Sequence, residues 1–290
     1  MSLVITGATG HLGRLVIEDL LAQGVPAAGI VAAGRDVTKV KDLADRGVVV
    51  RAVNYDDPAT LDGVFAPGDR VLLISGSEVG QRVRQHGAVI DAAQRAGVAL
   101  LAYTSIANAG TATMRLAQEH QATEQAILAS GLPYALLRNS WYLEIYTDQI
   151  PGYLQHGAVV GSAGDGRNSA ASRADYAAAA AAVLTRPDVP APGRAYELGG
   201  DHAFTLAGLA AEISAQAGRE IPYRDLPVEQ YAQVLEGAGL PPEYAAIIAD
   251  ADLGLARGEL QVAGTDLRQL TGRPAVTLRE AVAAALAKAG

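Results

Sequence analysis

The stretch Val4-Ile5-Thr6-Gly7-Ala8-Thr9-Gly10-His11-Leu12-Gly13 constrains the fold of this chain more than any other. The apolar run Leu3 to Ile5 reads as a buried parallel strand. Three glycines follow at three-residue spacing, and then Leu15, Val16, Ile17, Leu20 and Leu21 recur at helical spacing. Strand, glycine turn and helix form the context in which such a triplet marks a dinucleotide site. Gly7 permits a tight turn, Gly10 a close approach of backbone to a pyrophosphate, and Gly13 the packing of helix on strand. The helix start offers free N–H groups and a positive dipole end to phosphates. A tight turn without a ligand leaves the spacing of three glycines unexplained. Residues 7–13 (Gly7, Ala8, Thr9, Gly10, His11, Leu12 and Gly13) are therefore expected to bind a dinucleotide.

The rest of the chain continues the pattern. Residues 29–35, 48–53, 70–74, 98–104 and 134–138 read as strands two to six, with helical stretches between them. Alternating strands and helices predict an α/β fold of the Rossmann type, a doubly wound parallel sheet with right-handed crossovers. The helix over 81–96 carries Val83, Val89, Ile90 and Ala93 as its apolar positions. Residues 157–168, rich in Gly, Ala and Ser, read as loop. Ser172-Arg173-Ala174-Asp175 fits a capping box for the alanine-rich helix that runs to Leu184, so Asp175 reads as a cap rather than a catalyst. Residues 195–198 form a last strand. Thr205 to Ala217 is an amphipathic helix, after which Pro222, Pro227, Pro241 and Pro242 separate short helical pieces. At roughly 150 residues per domain the length suggests two domains. The expected division is a Rossmann domain over 1–138, to which 172–200 returns, and a smaller, mostly helical domain over 139–171 and 201–290 that covers the cofactor.

Candidate ligand residues gather at the carboxyl ends of the strands, where open α/β sheets bind. Arg35 lies about 20 residues beyond the glycines, where an acid selects NAD and an arginine instead neutralises a 2′-phosphate. NADP(H) is therefore expected over NAD(H); the plain alternative is a solvated arginine closing a strand. Asn54 and Tyr55 either border the adenine or form a simple turn. Ser75, Gly76 and Ser77 end the fourth strand with small residues that let a cofactor lie across the sheet edge, and Thr104 and Ser105 end the fifth. Asn139-Ser140-Trp141-Tyr142 follows the sixth and holds the single tryptophan of the chain. Asn139, Trp141 and Tyr142 either form a substrate platform or pack the second domain onto the sheet.

Composition closes off other chemistry. With 23 basic and 31 acidic residues the net charge is −8, which disfavours nonspecific binding to nucleic acid or anionic membrane. The chain has no cysteine, so disulfides, thiolate metal sites and cysteine nucleophiles are excluded; no metal is expected. The first strand begins at once, leaving no room for a signal peptide, and the longest apolar run is far below the ~20 residues that span a bilayer. A soluble cytoplasmic protein is expected. The oligomeric state stays open.

The order of strands resembles the short-chain dehydrogenase/reductase superfamily, and the Gly-x-x-Gly-x-x-Gly spacing its extended and atypical branches. In those enzymes a Tyr-x-x-x-Lys pair donates a proton to a carbonyl. None of the tyrosines here has lysine four residues later, and the only lysines are Lys39, Lys41 and Lys288. His120 and Glu124 stand where that pair is expected. The preferred reading of them is a surface ion pair on one helix face; the alternative makes His120 a proton donor, since its ordinary pKa is near neutrality. Ordinary ketone or alcohol chemistry is thus disfavoured. A quinone, whose reduced form is a stabilised anion that water can protonate, fits better.

More specific motifs point the same way. Ile74-Ser75-Gly76-Ser77-Glu78-Val79-Gly80-Gln81-Arg82, Ala102-Tyr103-Thr104-Ser105, Leu137-Arg138-Asn139-Ser140-Trp141-Tyr142 and Arg173-Ala174-Asp175-Tyr176-Ala177 make the whole chain similar to the atypical, NmrA-like branch, and within it to flavin-free bacterial NADPH-dependent quinone reductases. That resemblance implies NADPH on residues 7–13 and Arg35. It implies that Ser75 to Ser77 and the ends of strands five and six border nicotinamide and quinone, with Tyr142 and His120 as catalytic candidates. The family pattern often has serine where this chain has Gly76. Two other readings share the cofactor: a reductase of triphenylmethane dyes or other electrophilic aromatics, and an NADP-sensing regulator of the NmrA type that performs no catalysis.

Overall fold

The computed structural model describes residues 1–187 and 192–289. The stretch 188–191, inside the expected return of 172–200, and Gly290 lie outside the described residues. In chain order the first half contains β1 (Leu3–Ile5), α1 (His11–Ala22), β2 (Ile30–Gly34), α2 (Lys41–Asp45), β3 (Val49–Ala52), β4 (Arg70–Leu73), α3 (Arg82–Ala96), β5 (Leu100–Ile106), α4 (Arg115–Ser130) and β6 (Tyr134–Asn139). The second half contains α5 (Leu143–Thr147), α6 (Ile150–His156), β7 (Val159–Gly161), α7 (Arg173–Thr185), β8 (Arg194–Leu198), α8 (Leu206–Ala217), β9 (Tyr223–Asp225), α9 (Val228–Gly237), α10 (Pro242–Ala256), α11 (Asp266–Thr271) and α12 (Leu278–Ala289).

Seven strands pair in the order β3-β2-β1-β4-β5-β6-β8, every neighbour parallel. The order reverses at β1, so the crevice between the first crossovers falls beside the end of β1, where the glycine turn begins. A parallel sheet is covered on both faces, and its central strands read as unbroken apolar runs. All residues of β5 are buried accordingly. One face is covered by α1 and α7 with Val16, Ile17, Leu20 and Val183 in its core. The other is covered by α3 and α4 with Val89, Ile90, Ala93 and Ile127. The helix α7 is buried nearly all round, and its alanines let it come close to α1. Ser172 caps it, its Oγ accepting from the Asp175 N–H at 3.1 Å. The Asp175 carboxylate is fully buried and accepts from the Val276 N–H at 3.0 Å, so the capping acid also fastens the C-terminal segment.

A third core gathers Tyr146, Ile150, Val159, Leu206, Leu209, Ile213 and Ile221 around Ile106 and Met114 from the first half. Here the structure departs from expectation. Residues 157–168, expected as loop, contain β7, and the proline-punctuated region, expected as helical, contains β9. The two pair in parallel as a separate small sheet. Three-residue strands are too short to show alternation, and their pairing joins segments about 60 residues apart. Val83, expected on the buried face of α3, is 47% exposed. The sixth strand extends one residue further, placing Asn139 inside β6.

Candidate cofactor cleft and adjoining chamber

The turn after β1 is tied to both neighbouring strands. The Thr6 N–H donates to the Leu72 carbonyl and the Ala8 N–H to that of Ala33, both at 3.0 Å. Gly7 has φ +64°, a left-handed conformation that favours glycine. A Cβ on Gly13 would stand 2.5 Å from the Gly7 carbonyl oxygen and 2.7 Å from the Ala8 Cα. Helix and turn therefore touch backbone to backbone. At its start α1 has no side-chain cap and no acid in its first turn. Its first N–H groups, which have no partner within the helix, face an open cleft of about 390 Å³. This contrasts with α7, where serine fills the same role. An uncapped helix start over a glycine cradle fits the phosphates of a dinucleotide.

Gly7, Thr9, Gly10, His11, Leu12, Gly13, Arg35, Ser75, Gly76 and Ser77 all line this cleft. Asn54 and Tyr55 line it too, beside Gly34. Burial pushes the Tyr55 phenol up to about 12. Arg35 is exposed and ion-paired with Glu78 of the loop beyond β4.

Three residues expected at the cofactor do not line this cleft. Ala8 is fully buried under the turn. Thr104 is buried and supports the cleft from behind, its Oγ1 accepting from the Ser75 N–H at 2.9 Å. Ser105, also expected at the cofactor, lines a second cavity of about 210 Å³ and donates to Glu124 at 2.6 Å. Successive strand side chains point to opposite faces, so Thr104 and Ser105 part company.

The second cavity adjoins the first: Ser75, Arg82, Tyr142 and Tyr244 line both. Its walls include Asn139 and Trp141, and Ile106, Leu116, Ile145, Ile247, Ile248 and Ala251 make it apolar. Trp141 lines this chamber and also packs against the third core. Tyr142 stands edge-on to Tyr176 at 5.5 Å with the Arg173 guanidinium 5.3 Å from its ring centre.

The expected surface ion pair of His120 and Glu124 is overturned. Both residues are buried. Glu124 pairs with Arg138 at 2.7 Å instead, because the end of β6 brings that guanidinium under the helix. His120 lines the chamber and has its Nδ1 2.8 Å from the Tyr103 hydroxyl. Burial, with Arg82 and His86 adding to it, holds the imidazole well below its ordinary pKa, so it is neutral. The network leaves no hydroxyl proton unpaired when Tyr103 donates to Nδ1 and the imidazole N–H sits on Nε2. The neighbouring His86 accepts the Gly76 N–H on Nε2 at 3.0 Å and bonds Thr123 through Nδ1 at 3.0 Å, which fixes the Ser75–Ser77 turn. Burial and Arg82 lower His86 to about 4.

Sequence reasoning missed Tyr244, Ile247, Ile248 and Ala251, the stripe of α10 that roofs the chamber. Their spacing is that of one helix face, but nothing local says what the face covers. Among the described residues no cluster of His, Cys, Asp or Glu is arranged to hold a metal, and no helix is long and apolar enough to cross a membrane.

A Rossmann sheet with an uncapped, glycine-cradled helix start defines a nicotinamide-dinucleotide-binding protein. The chain belongs to the NAD(P)H-binding family, whose model matches residues 7–187. It is 46% identical over 280 residues to quinone oxidoreductase 2 of Escherichia coli, covering 97% of each chain. It superposes on the structure of NADPH-dependent quinone oxidoreductase QOR2 from Escherichia coli, complexed with NADPH, with TM-score 0.94 and 45% identity, over 98% of this chain and 99% of that one. Triphenylmethane reductase of Citrobacter sp. complexed with NADP(H) gives TM-score 0.91 and 36% identity, over 98% and 100%.

Proposed function

We infer that this protein reduces quinones to hydroquinones by two-electron hydride transfer from NADPH, without flavin. One observation carries the reading: a mainly apolar chamber adjoins the dinucleotide cleft, and among the described residues that line it none is placed as a strong acid. The similarity to quinone oxidoreductase 2 over nearly the whole chain supports it.

When bound, NADPH supplies the hydride. The chain supplies position and environment. The N–H groups at the start of α1 would hold the pyrophosphate, with Gly7, Gly10 and Gly13 giving it room. Arg35 would exchange its partner Glu78 for the 2′-phosphate. Ser75 to Ser77, held by Thr104 and His86, would border the nicotinamide. Trp141, Tyr142 and the α10 stripe would sandwich a planar acceptor and exclude water, so that catalysis is mainly orientation. Neutral His120 can donate a hydrogen bond from Nε2 but carries no charge. Residues 1–138 with 172–200 would serve as cofactor platform, and 139–171 with 201–290 as the lobe that covers it. The absence of cysteine suits a reducing cytoplasm.

Purified protein free of flavin absorbance should oxidise NADPH steadily with 1,4-benzoquinone, and without a break in rate near pH 6.5, because His120 stays neutral. NADPH binding without turnover of any quinone or dye would leave an NADP sensor. Faster turnover of triphenylmethane dyes than of quinones would favour the dye reductase.

A further inference from the structure

Arg82 is 8% exposed and lies where the two cavities join. Its Nε donates to the Gly76 carbonyl at 2.6 Å, which anchors the guanidinium at the mouth of the chamber. Its Nη1 is buried without a hydrogen-bond partner. The neighbouring carboxylate oxygen, Glu119 Oε2, stands 3.7 Å away and is itself buried and unbonded; the other Glu119 oxygen is taken by the Gly80 N–H at 2.9 Å. A buried guanidinium keeps its charge, and an unbonded buried N–H is costly, so the position calls for a use. Arg82 is the only charged side chain among the described residues that line the chamber.

We propose that Arg82 stabilises the negative charge that reduction places on a neutral acceptor, and that it thereby selects quinones over cationic dyes. The inference rests on the quinone reading above. A quinone that takes up a hydride gains one bond to hydrogen and both electrons, and becomes a hydroquinone monoanion whose charge lies on oxygen. Water then gives the second proton. A triphenylmethane cation that takes up the same hydride becomes neutral. A fixed cation at the chamber mouth attracts the anion that forms from the quinone and repels the dye cation from the site, so its field raises kcat/KM for the first and lowers it for the second. In this apolar space that field is poorly screened.

The direct test needs no cofactor. 4-Nitrophenol is an inert stand-in for the monoanion, and its visible spectrum reports ionisation. Bound to the native protein it should ionise about one pH unit or more below the free phenol. Arg82→Gln should abolish that shift, and Arg82→Lys should retain most of it. In turnover, Arg82→Gln should lower kcat/KM for 1,4-benzoquinone about 100-fold more than that for a cationic triphenylmethane dye. A native protein that binds phenol and phenolate equally overturns the proposal. So does an equal fall for both acceptors, in Gln and Lys variants alike, with weakened NADPH binding, since that marks a residue that only holds the Gly76 turn. If the native protein reduces neither acceptor, the quinone reading fails and nitrophenol still judges Arg82. If it reduces quinones and Arg82→Gln does so equally well, Arg82 fails and the quinone reading stands.

Discussion

The cofactor cleft and the adjoining chamber share four residues yet are built by opposite means. The cleft is made of backbone: a left-handed glycine, a helix start without a cap and a helix-to-turn contact that tolerates no Cβ. The determinants of this glycine cradle lie within about ten consecutive residues. The chamber is made of side chains from α3, β5, α4, β6, α5 and α10, elements that only the folded chain brings together. Backbone cradles recognise a ligand common to many proteins, the pyrophosphate. Side-chain walls can be exchanged one at a time and so set which acceptor enters. Of the two α-helix starts compared, α1 has no side-chain cap and begins at the glycine turn, while α7 is closed by Ser172.

Substitutions that damage one cavity and spare the other probe this contrast. The largest effect is expected from Gly13→Val. The new side chain meets backbone at 2.5–2.7 Å, so NADPH binding should vanish in a fluorescence titration, with about 3 kcal/mol or more lost in denaturant unfolding. Retained binding would show that the cradle yields and that the cleft does not depend on this backbone contact. Arg35→Asp comes next: NADPH affinity should fall about 10- to 100-fold while NADH affinity changes little, and quinone KM should not move. An unaltered NADPH-to-NADH ratio removes Arg35 from cofactor selection. Trp141→Ala should raise the quinone KM about 10-fold with NADPH affinity nearly constant; equal losses in both would reduce Trp141 to packing.

The smallest effect on ligands is expected at Asp252, on α10. Burial, with Asp225 adding to it, pushes its carboxyl up to about 6 against the ordinary 3.8. Between those values the native state holds a proton that the unfolded chain does not. Its contribution is therefore fully present below about pH 4 and is lost as pH rises through 6. Asp252→Asn should gain about 2–3 kcal/mol over the native protein at pH 7 and nothing at pH 4, in unfolding curves at the two pH values, with both KM values unchanged. A gain at both pH values would point to repacking rather than titration.

Reading the sequence located the cradle and Arg35 because each depends on near neighbours. Gly7, Gly10 and Gly13 need only a strand before them and a helix after. It erred where burial decides. His120 and Glu124 share a helix face, which suggests a surface pair, but that face turns inward onto Tyr103 and Arg138. Thr104 and Ser105 are adjacent, yet the pleat of β5 sends one behind the cleft and the other to the chamber wall. The motif that contains Arg82 was visible as a string, but its use was not, since the empty Nη1 is a property of what surrounds it.

The sequence alone determined that the chain begins with a phosphate cradle, because backbone freedom at three glycines is a local property that no distant contact can supply. Tertiary structure alone decided what lines the adjoining chamber. That surface is assembled by parallel crossovers from residues far apart along the chain, and packing fixes which atoms are left facing the space.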